Sequence, residues 1–278
     1  MSKGLALPVI CVQAANLAEG WERAVIETWE RGARIATQYD KPDDPPSRDA
    51  MLVLSVADPF AEPRIHRALP GGIYDLEVYR QEVVNGIHDD WIDPEHGKWS
   101  YTYHERLAAY RPSPVDEPIN QLELMVDKLA QVPYTRRAQA ILWKPGMDNW
   151  GEHPPCLQRI WCRIFDDQLV MSAHIRSNDA FKAAYMNMYA FTELQKLLAE
   201  QLSDRMGRPI QVGQYNHIAD SFHIYGSYFQ DFKGFLETLD KRTFEQRTYT
   251  MAQVAPLIEE AREKIARSLA NNSSDRRG

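Results

Sequence analysis

The sequence has few cysteines, and none of them lies in a Cys-x-x-Cys pair. The three are Cys11, Cys156 and Cys162, in a chain of 278 residues. Three scattered thiols cannot form a disulfide framework, and without close pairs neither a zinc site nor a dithiol redox centre is expected. The pattern leaves room for one reactive thiol.

Long hydrophobic runs are also missing. The chain is 44% apolar and 26% charged, which is ordinary for a globular protein. No window reaches the roughly 18 to 20 apolar residues that a membrane span requires. The first residues, Met1-Ser2-Lys3-Gly4, lack the apolar core of a signal peptide. We therefore expect a cytoplasmic protein that does not bind a membrane.

A surplus of positive charge is missing as well, since the net charge is −7. General binding of nucleic acids relies on an excess of lysine and arginine, so a nucleic acid is not an expected partner. An anionic ligand would have to be bound by a local group of arginines.

The apolar periodicity predicts an α/β fold, classed more closely as α+β, in one domain over residues 1–278 with a flexible polar tail at about 270–278. Glu62 is predicted to begin a short helix. The other predicted helices span about 16–36, 76–84, 119–130, 180–202 and 254–269. The predicted strands span 51–57, 138–143, 157–165, 168–175 and 209–225.

Two of the predicted strands form a hairpin that brings a cysteine close to an arginine. Cys156 and Arg176 lie almost equally far from the turn at Asp166 and Asp167, so they should face each other. A cysteine nucleophile acts as a thiolate, and a neighbouring cation lowers its pKa. The alternative is that Cys156 is a small inert core residue, as Cys162 is expected to be within its apolar strand.

Several polar residues near this hairpin could bind a ligand. Arg176 and Ser177 could cradle a phosphate or carboxylate, or Arg176 could form a surface salt bridge. Asn187 lies beside a buried helical stripe and needs partners, which the O4 and N3–H groups of uracil would supply. The aromatic passage over 91–103 either lines a pocket or caps an edge of the core.

The order of these motifs resembles the thymidylate synthase family. Pro154-Pro155-Cys156 is similar to its nucleophile motif, and Asn187 stands eight residues after Asp179, at the family's spacing. The other matching motifs are Arg136-Arg137 before a strand, Arg176-Ser177-Asn178-Asp179 and His223-Ile224-Tyr225. The resemblance implies a large mixed β-sheet flanked by helices and a homodimer that pairs sheet to sheet.

The resemblance also implies a reaction, the transfer of a one-carbon unit from 5,10-methylenetetrahydrofolate to C5 of dUMP, without a metal. Cys156 would add to C6 of the pyrimidine, Tyr103 would help to remove the C5 proton, and Glu62 would relay protons, with Glu77 as the second choice. The implied substrate-binding residues are Arg48, Arg136 and Arg137 of the partner subunit, Arg176, Ser177, Asp179, Asn187, His223 and Tyr225. Trp91 and Asp179 would bind the folate.

Two departures from the family pattern keep other functions open. His88 stands where the family has an indole on the folate side, and the chain ends in polar residues instead of a short apolar tail. Water could then capture the C5-methylene intermediate, giving a 5-hydroxymethylase acting on dUMP, CMP or dCMP. A third reading is a nucleotide-binding homologue without turnover.

Overall fold

The computed structural model describes residues 6–275, which form a mixed β-sheet with helices packed against it. The strands are β1 (Val9–Ala14), β2 (Ala33–Ile35), β3 (Ser47–Val56), β4 (Ile65–His66), β5 (Gln139–Ile141), β6 (Leu157–Phe165), β7 (Gln168–Ile175), β8 (Asn178–Asp179), β9 (Gln211–Ile224) and β10 (Thr248–Tyr249). The helices are α1 (Leu17–Arg31), α2 (Ile73–Asn85), α3 (Tyr103–Ala108), α4 (Gln121–Gln131), α5 (Pro145–Asp148), α6 (Ala184–Met206), α7 (Phe229–Lys241) and α8 (Met251–Asp275).

The main sheet runs in the order β1-β3-β9-β7-β6-β5, with β2 beside β3 and β8 beside β9. The β1–β3 and β7–β9 pairs are parallel, whereas β3–β9, β6–β7 and β5–β6 are antiparallel. This confirms the predicted mixed sheet with flanking helices. The β4 and β10 strands form a separate antiparallel pair.

The two faces of the main sheet differ because side chains alternate along each strand. In β3, Ala50, Leu52 and Leu54 are fully buried under the helices. The large buried side chain of Trp21 in α1 packs on Tyr185 of α6, and its Nε1 donates to the Ala180 carbonyl at 2.9 Å. The opposite face stays partly exposed, with residues such as Val53, Trp161, Ser172 and Asn216.

The predicted hairpin is confirmed, with both strand boundaries as expected. Phe165 pairs with Gln168 across a two-residue turn, and Asp166 and Asp167 have φ angles of 46° and 59°. Both turn residues therefore lie in the left-handed region, which suits the twist of a tight hairpin and which aspartate tolerates better than most residues. At the other end, Leu157 pairs with Ile175.

The helix predicted to begin at Glu62 is absent, and Ile65–His66 forms strand β4 instead. The backbone hydrogen bonds of this segment go to distant parts of the chain. Arg67 N donates to the Arg247 carbonyl at 2.8 Å, and His66 N donates to the Tyr185 hydroxyl at 3.1 Å. Partners so far away in sequence override a local helix signal.

The C-terminal part contains more helix than the sequence predicted. The prediction missed α7, and α8 runs from Met251 to Asp275 instead of about 254–269. The tail expected at about 270–278 is thus helical as far as Asp275, and residues 276–278 lie outside the described residues. None of the helices described within residues 6–275 could span a lipid bilayer.

Candidate active site

Arg176 holds the segment that carries Cys156. Its Nε donates to the Pro155 carbonyl at 3.0 Å and its Nη2 to the Pro154 carbonyl at 2.7 Å. Its backbone N donates to the Cys156 carbonyl at 2.9 Å, and Nη2 lies 3.8 Å from the Cys156 Sγ. The hairpin therefore brings the cysteine and the arginine together as the sequence predicted.

The neighbouring arginine does not lower the thiol pKa below its usual value. Burial raises the pKa of Cys156, and the positive charge of Arg176 offsets only part of that rise. Sequence reasoning considered the cation and not the cost of burying a thiolate. Cys162 lies in the core, where burial raises its thiol pKa further, and Cys11 is exposed.

These opposing effects can be tested by alkylation. In a Cys11→Ser background, we expect the reaction of Cys156 with iodoacetamide to rise with pH through a midpoint above the usual thiol pKa, because only the thiolate reacts. Arg176→Ala should move this midpoint to still higher pH, measured by mass spectrometry of the Cys156 peptide. Arg31→Ala removes an exposed guanidinium from α1 and serves as the control. An unchanged midpoint in Arg176→Ala would contradict the prediction.

A cavity of about 480 Å³ has an aromatic wall, and three of its tyrosines are close enough to Cys156 for the thiolate charge to raise their pKa values. Its lining includes Tyr79, Glu82, Trp99, Tyr101, Tyr103 and His153. The Tyr103 hydroxyl accepts a hydrogen bond from Leu157 N at 3.3 Å. Burial raises the pKa values of Tyr101 and Tyr103, and the Cys156 charge adds to both shifts. The aromatic passage predicted over 91–103 thus supplies part of a pocket wall.

Asn187 is buried on α6 and is oriented by a tyrosine of α2. Its Oδ1 accepts a hydrogen bond from the Tyr79 hydroxyl at 2.5 Å. The Tyr79 ring lines the cavity, and the Cys156 charge contributes to the rise of its hydroxyl pKa. The amide of Asn187 is therefore held next to the cavity, with its oxygen directed at Tyr79.

The structure does not bring Glu62 or Glu77 to this cavity. Glu62 is exposed and accepts hydrogen bonds from Arg64 N and Met251 N, both at 2.9 Å, so it caps the start of α8. Glu77 is buried in ion pairs with Arg80 and Arg262, at 2.7 and 3.0 Å. The carboxylates of both glutamates are therefore bound by other groups of the protein, namely backbone N–H groups for Glu62 and arginines for Glu77.

Glu82 is the acidic residue that lines the cavity, and sequence reasoning missed it. Burial raises its carboxyl pKa, and a hydrogen bond from His88 opposes that rise. The His88 Nδ1 lies 3.2 Å from Glu82 Oε2. Tyr79 and Glu82 are three residues apart and therefore lie on one face of the helix. This spacing was the signal in the sequence that could have identified Glu82.

A sequence model of the thymidylate synthase family matches residues 75–266, which is more than half of the chain. The chain belongs to the thymidylate synthase family. A relative from Methanocaldococcus jannaschii named "Putative thymidylate synthase" is 25% identical over 222 residues, covering 78% of this chain and 91% of the relative. One of the same name from Methanosarcina acetivorans is 26% identical over 215 residues, covering 77% and 88%.

A solved structure is similar in fold. It is the thermostable thymidylate synthase A from Bacillus subtilis, with a TM-score of 0.57 over 80% of this chain and 84% of that one. Its sequence identity of 17% supports the architecture and no more. The large mixed sheet with flanking helices is therefore a thymidylate synthase-like fold.

His88, which stands where the thymidylate synthase family has an indole, takes part in an aromatic stack. Its ring lies on Trp91 with the centroids 3.6 Å apart, and the ring of Trp99 stands edge-on to it at 5.7 Å. A second cavity of about 470 Å³, lined by Asp90, Trp91, Lys98 and Trp99, shares Lys98 and Trp99 with the first. The polar ring of His88 is thus part of a flat aromatic surface.

The remaining predicted residues around the hairpin lie at the ends of β7, β8 and β9. Ser177 follows Arg176, and Asp179 Oδ1 accepts from Phe181 N at 3.0 Å and Lys182 N at 2.8 Å. Burial raises the pKa of Tyr225 to about 12, with contributions from Asp179 and Cys156. The ring of His223 lies 4.6 Å from that of Tyr225.

The other arginines predicted to bind phosphate lie on separate elements of the fold. Arg48 belongs to strand β3, and not to the preceding loop, because it pairs with Ile224 of β9 and with Arg34 of β2. Its guanidinium lies 5.3 Å from the centre of the Trp29 ring, and its buried Nε has no hydrogen-bond partner. Arg136 and Arg137 are exposed just before edge strand β5.

A buried ion pair supports the loop that leads to Cys156. Arg106 donates to both carboxylate oxygens of Asp148, at 2.9 and 3.0 Å, and to the Leu142 carbonyl at 2.9 Å. Asp148 also accepts from Lys144 N at 2.6 Å. The side chains of Arg106 and Asp148 are only 3% and 6% exposed, so the pair fixes both ends of the short helix α5.

Removing one partner of this pair is expected to be costly. Asp148→Ala removes the bidentate partner of the buried Arg106 guanidinium and leaves only Glu105 Oε2 near it, 3.4 Å from Nε. We expect a loss of about 3 kcal/mol in the free energy of unfolding, at the lower end of the cost of breaking a buried pair, measured by urea denaturation. The matched control is Glu27→Ala, which breaks the exposed pair with Arg31 and should cost less than about 1 kcal/mol. Equal losses in the two variants would contradict this prediction.

Proposed function

We propose that the protein transfers a one-carbon unit from 5,10-methylenetetrahydrofolate to C5 of a pyrimidine nucleoside monophosphate, with the conversion of dUMP to dTMP as its reaction. The observation that carries this proposal is that Arg176 holds Cys156 close to Tyr79, the cavity residue whose hydroxyl bonds to the amide of Asn187. The family membership supports the same reaction.

The bond-forming step belongs to Cys156. Its thiolate adds to C6 of the pyrimidine, and C5 thereby gains the electron density to attack the one-carbon unit. Asn187 contacts the ring carbonyl and its neighbouring N3–H. With its oxygen already oriented by Tyr79, the amide nitrogen is free to donate to O4, which favours uracil.

The proton steps fall to Glu82 and Tyr103. Glu82 replaces Glu62 and Glu77 in this role because it is the acid that lines the cavity. A carboxyl whose pKa is raised by burial holds its proton to higher pH than an exposed glutamate, which suits it to exchange a proton with the substrate. Tyr103, fixed by its hydrogen bond from Leu157 N, assists removal of the C5 proton.

The nucleotide phosphate is assigned to arginines, and its sugar to His223 and Tyr225. Arg176 and Ser177 lie beside the cysteine, and Arg48 contributes from β3. Arg136 and Arg137 of the partner subunit complete the phosphate site in a homodimer that pairs the partly exposed faces of the two main sheets. Their exposure before edge strand β5 fits that arrangement.

The residues beside the cavity fit a folate. The stacked rings of Trp91 and His88 offer a flat surface for a pterin, and Asp179 offers a half-buried carboxylate that can accept hydrogen bonds from ring N–H groups. When bound, the folate supplies the one-carbon unit and the hydride that completes a methyl group. The surrounding side chains orient it and exclude water.

A second candidate is a 5-hydroxymethylase, favoured by the contact between His88 and Glu82, the acidic residue of the cavity lining. A polar pair at this position can hold a water molecule close to C5, where an indole would exclude it. The residues that bind the nucleotide are the same in both reactions.

Product analysis separates the candidates. The protein is incubated with 5,10-methylenetetrahydrofolate and dUMP, UMP, dCMP or CMP in turn, and each product is weighed by mass spectrometry. A methylated product with release of dihydrofolate supports thymidylate synthesis, whereas a hydroxymethylated product without dihydrofolate supports the second candidate. No release of tritium from C5-labelled nucleotides would favour a binding protein without turnover.

A further inference from the structure

A polar cluster of one buried and two half-buried side chains joins the ends of β3 and β9. The Ser221 hydroxyl lies 3.0 and 2.9 Å from the two carboxylate oxygens of Asp49. The same hydroxyl lies 3.1 Å from Nδ1 of His223, which pairs with Asp49 across the two strands. The three side chains therefore form a short chain of hydrogen bonds that ends in an imidazole.

The number of available hydrogens determines which group donates in each of these hydrogen bonds. Burial raises the pKa of Asp49, and hydrogen bonds from Ser221 and the Ala50 backbone oppose that rise and favour the ionised carboxylate. An ionised carboxylate only accepts, so the single hydroxyl hydrogen of Ser221 goes to Asp49. Burial lowers the pKa of His223 to about 4, and its ring is therefore neutral at neutral pH, with one N–H. Because Ser221 has no second hydrogen to give, the hydrogen of His223 must be on Nδ1, where it donates to the Ser221 oxygen.

This tautomer leaves the other ring nitrogen as an acceptor. Nε2 of His223 is buried and has no partner among the described residues, and the side chain is only 5% exposed. A buried acceptor without a partner is unfavourable and is usually paired by a ligand or an ordered water. The ring of Tyr225 lies next to that of His223. Burial raises the pKa of the Tyr225 hydroxyl, and the charges of Asp179 and Cys156 add to that rise.

We propose that Asp49 and Ser221 are positioning residues that hold His223 in its Nδ1–H form, so that Nε2 accepts a hydrogen bond from a sugar hydroxyl of the nucleotide. The sugar contact rests on the function proposed above, whereas the tautomer does not. Neither Asp49 nor Ser221 was among the residues that the sequence singled out for binding. The ligand class is a pyrimidine nucleotide with a free hydroxyl on its sugar.

The tautomer is measured by ¹⁵N NMR of the ligand-free protein labelled at histidine, with His223→Gln to assign the signals. We expect an unprotonated Nε2 in the wild type. In Asp49→Asn the new amide can donate to Ser221, whose hydroxyl then turns to Nδ1 and moves the ring hydrogen to Nε2. Ser221→Thr keeps a hydroxyl and should keep the wild-type tautomer.

Binding is measured with dUMP and with its analogue that lacks the 3′-hydroxyl. We expect the wild type to bind dUMP about tenfold more tightly than the analogue, the usual effect of one hydrogen bond, and His223→Phe to lose that preference. The control is Thr238→Ala, which removes a hydroxyl on α7 that donates to the Gly234 carbonyl and should change neither tautomer nor binding.

Each result has a definite meaning. A wild-type ring with its hydrogen on Nε2, or an unchanged tautomer in Asp49→Asn, would overturn the positioning role. Equal loss of affinity for dUMP and for the analogue in His223→Phe would overturn the sugar contact and indicate that a water pairs Nε2. Failure of the wild type to bind any pyrimidine nucleotide would overturn the proposed function and the sugar contact together, while the NMR result would still decide the tautomer.

Discussion

Cys156→Ala is expected to lower turnover of dUMP by on the order of 10⁴- to 10⁶-fold, as loss of the nucleophile does in other covalent enzymes. Without the thiolate nothing adds to C6, and C5 is too poor a nucleophile to attack the one-carbon unit. Arg176 and Asn187 remain, so nucleotide binding should persist. Dihydrofolate formation measures the first effect and calorimetric titration with dUMP the second.

The exposed thiol on β1 provides the matched control for this experiment. Cys11→Ser changes a surface cysteine and should leave turnover unaltered. Circular dichroism of Cys156→Ala should match that of the wild type, because its side chain is only partly buried at the start of a hairpin that the backbone holds. Turnover near the wild-type rate in Cys156→Ala would exclude covalent catalysis by this residue.

The part of the site that sequence could predict is the part encoded locally. The hairpin is fixed by alternating apolar residues and by a turn pair at Asp166 and Asp167, so its register placed Arg176 opposite Cys156. Asn187 followed from its position next to a buried helical stripe. The hairpin partners lie within one supersecondary unit, and the burial of Asn187 follows from its own helix, whereas its partner Tyr79 lies 108 residues away in the chain.

The part that sequence could not predict depends on contacts between distant segments. Glu62 looked suitable because of its place before a predicted helix, but its oxygens are taken by backbone groups, including that of Met251. Glu77 is neutralised by Arg262, which is 185 residues away in the chain. A carboxylate's role depends on which cation or backbone N–H reaches it, and the one-dimensional pattern does not contain that information.

A different reason applies to α7. Its apolar residues Phe232, Phe235, Leu236 and Leu239 follow helical spacing, so the signal was present and was overlooked. The pKa of Cys156 illustrates a third reason, since burial outweighs a nearby cation. The number of atoms around a thiol follows from packing and cannot be read from its neighbours in sequence.

Glu82→Gln is expected to lower kcat for dUMP by about 10²- to 10⁴-fold, the range for loss of a general acid or base. Glutamine keeps the size and hydrogen-bonding capacity of the side chain but cannot exchange a proton. KM for the nucleotide should change little, because Arg176 and Asn187 provide the binding contacts. Steady-state kinetics of dihydrofolate formation separate kcat from KM.

The pH dependence gives an independent criterion for Glu82. Burial raises its carboxyl pKa, so a role as base predicts that the wild-type rate falls with decreasing pH already above the usual range of a glutamate, and that Glu82→Gln lacks this limb. Glu62→Gln and Glu77→Gln are the matched controls. The first should be nearly silent, and the second should lower stability through the loss of its ion pairs while keeping the acid limb. If Glu82→Gln kept the fall in rate at low pH and Glu62→Gln or Glu77→Gln lost it, Glu82 would not be the residue that relays protons.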